Sequence, residues 1–194
     1  DILLLEKNTG NVYRFIHGNV AGLLIHIDVA FKDERGLLGV ATSTKESKNA
    51  TYDISVFLYY TQCSKIKDQP KSNRYCGNYL YKYELDPKSN TLINPNLLLN
   101  VSALPGASHN GGVLQMDKEK NLYVAIGDLL ETNYNLTGSF DTKAQNFLNG
   151  TLPDGRAGIL RLTQDGKPVS NGILGNTYPL NLYYAYGIKN SFGM

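Results

Sequence analysis

Gly36-Leu37-Leu38-Gly39-Val40-Ala41 returns in the chain as Gly112-Val113-Leu114-Gln115-Met116 and opens once more as Gly193-Met194. The three leading glycines lie 76 and 81 residues apart. A second segment type recurs between these copies, as Ile2-Leu3-Leu4-Leu5, Ile54-Ser55-Val56-Phe57-Leu58-Tyr59 and Leu122-Tyr123-Val124-Ala125-Ile126. A third has a basic residue near its end: Val12-Tyr13-Arg14-Phe15, Leu80-Tyr81-Lys82-Tyr83 and Ile159-Leu160-Arg161-Leu162. A fourth occupies residues 23–29 and 97–101, with a poor third copy after Gly166. Four short segments repeating in fixed order every 70 to 80 residues are the pattern of a β-propeller blade.

Within the segments the period is 2. Leu23, Ile25, Ile27 and Val29 alternate with Leu24, His26 and Asp28; Tyr79, Tyr81, Tyr83 and Leu85 alternate with Leu80, Lys82 and Glu84. That is the spacing of a strand with one face more buried than the other. Gly, Asn, Asp or Pro bounds each run. The 14 Tyr, 19 Gly and 20 Asn, with no Trp, suit strands joined by tight turns. A β-sandwich would also supply short strands but not the recurring order. We therefore expect an all-β propeller of four-stranded antiparallel blades. Residues 1–30 are part of one blade, 31–103 a second, 104–182 a third and 183–194 the start of a fourth. Three blades leave two open faces and cannot close a ring. The expected partner is the remaining half of a longer propeller or a second copy of the chain.

Composition narrows the function classes. A net charge of +2 gives no field that calls for nucleic acid. No apolar run approaches the roughly 18 residues of a membrane-spanning helix. Cys63 and Cys76 are the only cysteines, and the polar stretch between them reads as a loop. Two readings stay open: a disulfide formed in an oxidising compartment, or two free thiols. Four N-x-[S/T] sequons begin at Asn49, Asn100, Asn135 and Asn149. Together these favour an extracellular, periplasmic or cell-surface protein.

Propeller function gathers at the central channel, so the Gly-rich approaches to the first strand of each blade are the places to look. They are Asp33-Glu34-Arg35-Gly36, Ser108-His109-Asn110-Gly111-Gly112 and Lys189-Asn190-Ser191-Phe192-Gly193. Superposed, they send Glu34 and Arg35, Asn110 and Gly111 with neighbours such as His109, and Lys189 and Asn190 toward one axis. A carboxylate, an imidazole and an amine meeting in a pocket suit proton transfer or anion binding. His109 is the sharpest candidate, since an imidazole titrates near neutrality and takes a proton from an alcohol. His26 reads as structural and His17 as a solvated turn residue. Asp128 reads as a turn cap or a Ca²⁺ ligand.

The same segments, with Gly158-Ile159-Leu160-Arg161-Leu162 and Tyr184-Ala185-Tyr186-Gly187-Ile188-Lys189-Asn190-Ser191-Phe192-Gly193, resemble the N-terminal half of the soluble quinoprotein glucose/sorbosone dehydrogenases. The resemblance implies a six-bladed propeller that uses pyrroloquinoline quinone (PQQ) and Ca²⁺ to oxidise an aldose, passing electrons to an acceptor. His109 matches the general base that takes the proton of the sugar C1 hydroxyl while hydride passes to the quinone. Asn190 matches a cofactor-contacting Asn, and Lys189 stands where the family usually has an Arg. Glu34 and Ser108 match substrate-contacting positions. The Ca²⁺ ligands fall beyond Met194. The family's Tyr-Gly-His-Arg-Asn is here Tyr186-Gly187-Ile188-Lys189-Asn190, and Lys lacks the planar fork of Arg. That departure motivates an alternative, a non-catalytic secreted propeller that binds a glycan or a protein. A lactonase-like hydrolase with a central Ca²⁺ is a third, weaker reading.

Overall fold

Ile54 to Tyr60 is apolar at nearly every position because both of its faces are covered. In the computed structural model, which describes residues 1–46, 52–63, 76–103, 106–129 and 153–194, this stretch lies in β5 (Tyr52–Cys63). Phe57 and Tyr59 point into one core, and Val56, Leu58 and Tyr60 into another. All five are buried. Successive strand residues point to opposite faces, so a strand sandwiched between two neighbours loses its polar alternation.

The strand order supplies the two neighbours. β1 (Ile2–Leu5), β2 (Asn11–Ile16) and β3 (Asn19–His26) form a first antiparallel sheet. β4 (Leu37–Glu46), β5, β6 (Cys76–Asp86) and β7 (Thr91–Ser102) form a second, in chain order. β8 (Val113–Met116), β9 (Leu122–Ile126), β10 (Gly158–Leu162) and β11 (Tyr183–Tyr186) form a third. The described residues contain no α-helix, only a 3₁₀ turn at Leu180–Leu182. No described helix is long and apolar enough to cross a membrane. One core joins sheets one and two through Val12 and Leu24 packed with Leu58 and Tyr60. The other joins sheets two and three through Phe57, Leu80 and Leu99 packed with Leu122, Val124 and Leu160. Each fully buried side chain of this size contributes about 1.5–3 kcal/mol.

In the first two sheets the expected segments fall on the observed strands in the expected order, although most strands run longer and β3 ends at His26, short of the expected Val29. The third differs at its outer strand. The poor repeat after Gly166 forms only isolated bridges, Leu162 to Pro168 and Gly172 to Gly175. The fourth strand is instead Tyr183–Tyr186, paired with β10. The third sheet therefore runs four residues past the boundary expected at 182. Tyr183 explains the choice: its ring is buried in the shared core, and its hydroxyl donates to the carbonyl of Arg156 at 2.6 Å. His26 is structural, its Nδ1 2.8 Å from Asn11 Oδ1. His17 lies at a turn with φ 49°.

Among the described residues, the outer faces of the end sheets have no neighbouring sheet. On the first, Ile2, Leu4, Val20 and Leu23 are exposed and share one face through the pairs Ile2–Phe15, Phe15–Val20, Leu4–Tyr13 and Tyr13–Leu23. On the third, exposed Tyr184 stacks under Arg161 and meets the edge of Tyr123. Cys63 and Cys76 face each other across β5 and β6 and form a disulfide. The residues between them lie outside the described set, as do the sequons at Asn49, Asn135 and Asn149. Asn100 lies exposed on β7, the edge strand of its sheet.

The bond closes a sequence separation of 13 residues. Reducing it is expected to lower stability by about 2–3 kcal/mol, read as the urea midpoint with and without reductant. Phe57→Ala, at the centre of the second sheet, is expected to cost about 3–5 kcal/mol by the same measurement.

Candidate functional site

Three loops from three parts of the chain meet beside the innermost strands β4 and β8. Their approach depends on missing side chains. A Cβ on Gly39 would lie 1.8 Å from the carbonyl oxygen of Gly112, and one on Gly112 would lie 2.5 Å from Leu38 Cβ. Gly112 also has φ +106°, a region side chains rarely adopt. Gly112, which recurs ahead of the inner strand, and Gly39 within β4 are thus what lets the second and third sheets close on each other here.

His109 sits on the loop entering β8 with φ 60°, a left-handed conformation that costs a non-glycine residue of order 1–3 kcal/mol. Its surroundings hold it there. Its backbone N–H donates to Glu34 Oε2 at 2.6 Å. Its ring Nδ1 lies 2.7 Å from Asp128 Oδ1. Asp128 is 1% exposed, and its own N–H donates to the carbonyl of Lys189 at 2.9 Å. A carboxylate only accepts, so Nδ1 carries the hydrogen, and in the neutral imidazole Nε2 is the nitrogen with the lone pair. An imidazole oriented in this way against a buried carboxylate has the arrangement that proton transfer at Nε2 requires.

Glu34 Oε2 also accepts from the side-chain amide of Asn190 at 3.2 Å. One carboxylate oxygen therefore joins the loops before β4, before β8 and after β11. His109 and Asn190 lie on the same side of the molecule, bridged by a single atom. With Nδ2 turned to Glu34, the buried Asn190 Oδ1 has no hydrogen-bond partner among the described residues. It is an acceptor in wait of an N–H or O–H.

A cleft of about 250 Å³ opens here, walled by Lys7, Asp33, Glu34, Leu38, Gly111, Val113 and residues 190–192. The Lys7 ammonium donates to the carbonyls of Phe31 and Asp33 at 3.2 and 2.9 Å, bracing the loop that presents Glu34. Ser108 is half-buried beside His109 and does not wall the cleft. Lys189 brings its carbonyl to Asp128, while its side chain is exposed and also outside the wall. Among the described residues, no three His, Cys, Asp or Glu side chains gather at one point.

Asp128 was legible only as a turn or metal residue. The signal that finds it is register: the pairing of Val113 with Ala125 puts the loop before β8 and the loop after β9 at the same end of one hairpin. Lys7 had no signal at all, since nothing local marks a lysine that reaches back from the first sheet.

Comparison with known proteins sets this geometry in a lineage. The profile of the Glucose / Sorbosone dehydrogenase family matches residues 1–194. No curated protein sequence matches the chain significantly. Among solved structures, two glucose dehydrogenases resemble it at 20% and 18% identity, with TM-scores of 0.64 and 0.66. Each similarity covers 97% of this chain and 48% of the other. The soluble aldose sugar dehydrogenase of Escherichia coli, in its apo form, resembles it at 17% identity and a TM-score of 0.63, over 94% of this chain and 47% of that one. The chain thus spans about half the length of these structures, and its three sheets take the propeller fold they share.

Gly127 separates β9 from Asp128, and a Cβ there would lie 2.3 Å from the carbonyl oxygen of His109 and 2.6 Å from that of Lys189. Both are backbone atoms that cannot swing aside. Gly127→Ala is expected to lower stability by about 1–3 kcal/mol, as overpacking does, measured by urea unfolding.

Proposed function

The chain belongs to the glucose/sorbosone dehydrogenase family, and from that premise we propose that it supplies the proton-accepting half of a PQQ-dependent aldose dehydrogenase site. The observation that carries this reading is the Asp128–His109 pair at 2.7 Å, which lies outside the cleft wall itself and is joined to it through Glu34, a wall residue together with Asn190. The remaining blades of such a propeller are to complete the ring.

The residues present fit a quinone and a sugar in specific ways. The unsatisfied Asn190 Oδ1 calls for a ring N–H of the cofactor or a hydroxyl of the substrate. Gly111 leaves that part of the wall without a side chain, so a flat ligand lies against backbone. Asn190 is the residue of the cleft that would hold the cofactor; Lys189, the other expected contact, has its side chain outside the wall and serves here through its carbonyl on Asp128. When bound, PQQ supplies a two-electron acceptor for the hydride of the sugar C1 carbon. No Ca²⁺ ligand is assigned within this chain.

The chain's own part is the proton. His109 Nε2 accepts it from the C1 hydroxyl, and Asp128 stabilises the imidazolium that results. Burial of Asp128 makes that stabilisation larger than it would be in water. Glu34 keeps His109 from turning away by holding its backbone, and Asn190 orients on the same oxygen. Electrons pass onward to an external acceptor. The Cys63–Cys76 bond supports an oxidising location, extracellular, periplasmic or at the cell surface.

The test uses the full gene product with PQQ, Ca²⁺, a panel of aldoses and a dye acceptor. Dye reduction is expected, with His109→Ala losing about 10²–10⁴-fold in kcat while quinone binding by titration stays intact. Asp128→Asn is expected to lose a similar share, since it no longer stabilises an imidazolium. A second reading, a secreted propeller that binds a glycan or protein without catalysis, is favoured by the exposed side chain of Lys189 at the family's Arg position. It gains ground if neither PQQ binding nor dye reduction is seen; a fully active His109→Ala removes the assigned base.

A further inference from the structure

Behind the His109 loop runs a file of buried polar side chains that takes no part in the proposed chemistry. Thr61 Oγ1 donates to Asn78 Oδ1 at 2.5 Å, and Asn78 Nδ2 donates to Asn110 Oδ1 at 3.0 Å. Asn110 Nδ2 in turn donates to the carbonyl of Ala107 at 2.5 Å. The Tyr59 hydroxyl, kept protonated because burial pushes the phenol far above its ordinary range, donates to the carbonyl of Asn110 at 3.2 Å. Tyr59, Thr61, Asn78 and Asn110 are all 0% exposed.

Apolar side chains would fill this space without needing matched geometry. A buried polar file earns its place only by demanding one relative placement of its members. Here the members span two sheets. Tyr59, Thr61 and Asn78 belong to β5 and β6, while Asn110 follows His109 on the loop into β8. Residue 110 is gripped twice, at its side chain by Asn78 and at its carbonyl by Tyr59. Residue 109 is gripped at its N–H by Glu34. Asn110 cannot evade by flipping its amide, because its oxygen would then face the Ala107 carbonyl.

We infer that Asn78 is a positioning residue for His109: acting through Asn110, it fixes the general base against the second sheet in its left-handed conformation. Asn78 touches neither sugar nor cofactor. The inference rests on the proposed role of His109, but its central relation is structural and is measurable without turnover.

The experiment takes the full gene product, labelled with ¹⁵N at histidine, and follows the Nδ1–H resonance of His109, assigned by its loss in His109→Gln. Asn78→Asp keeps the size and still accepts from Thr61, but sets a carboxylate oxygen against Asn110 Oδ1. Tyr59→Phe is the milder variant, should Asn78→Asp fail to fold. Val12→Ala, in the other core and away from the file, is the control for lost stability. Asn78→Asp is expected to move or broaden the Nδ1–H resonance and to lower kcat about 10–100-fold, the cost of misplacing a catalytic group by about 1 Å. KM is expected to change by no more than about 3-fold, since no substrate contact is lost. Tyr59→Phe is expected to shift the same resonance to a smaller degree, and Val12→Ala to leave it and kcat as in wild type. Asn78→Asp or Tyr59→Phe with lowered melting temperature but an unmoved resonance overturns the inference. If the wild-type protein oxidises no sugar, the functional reading fails while the resonance still decides the positioning relation.

Discussion

The second sheet is covered on both faces, and most other features follow from that. Phe57 and Tyr59 on one side and Val56, Leu58 and Tyr60 on the other make it the shared wall of two cores. A sheet in that position cannot tolerate a register slip, because moving one residue would exchange the two cores wholesale. Its neighbours are therefore fixed in relation to it, and the loops at their inner ends are fixed as well. Among the described residues, the end sheets meet a neighbouring sheet on one face and keep exposed apolar residues on the other.

The site is built across the blades and not within one. Glu34 precedes β4, His109 precedes β8, and Asn190 follows β11, yet a single carboxylate oxygen touches both of the others. Its two partners lie 75 and 156 residues away in the chain. The ring of His109 is set by its own sheet, through Asp128, whereas its backbone is set by the preceding one. Orientation and location of the imidazole thus have separate sources. This division explains how a residue in a strained conformation stays put: no single contact bears the whole cost.

Much of this was open to reading from the residues. The repeat announced the sheets because each blade needs the same glycine where inner strands crowd and the same apolar run where sheets stack. Glu34, His109 and Asn190 could be drawn together because the repeat carries loops at equivalent places to one axis. The limits were equally physical. Tyr183–Tyr186 was missed as the third sheet's outer strand because residues 167–182 interpose bridges and a 3₁₀ turn, so the strand comes late in the repeat. Asp128 became a partner of His109 only once the β8–β9 register was known. Asn78 and Tyr59 act through side-chain reach across sheets, which leaves no trace in local spacing. Lys189 shows a different limit, for position in a motif located its backbone but not the direction of its side chain.

The shared oxygen of Glu34 also bears on how such a protein can change over evolutionary time. Repeat proteins commonly gain or lose whole units by duplication or deletion, since each unit needs only a like neighbour. Here that freedom is withdrawn. Removing or inserting a blade between Glu34 and His109 would preserve stacking everywhere and still break the tether, because the carboxylate would meet the wrong loop. Unit number between these loops is consequently held by the contacts of one carboxylate, a constraint that stacking alone does not impose.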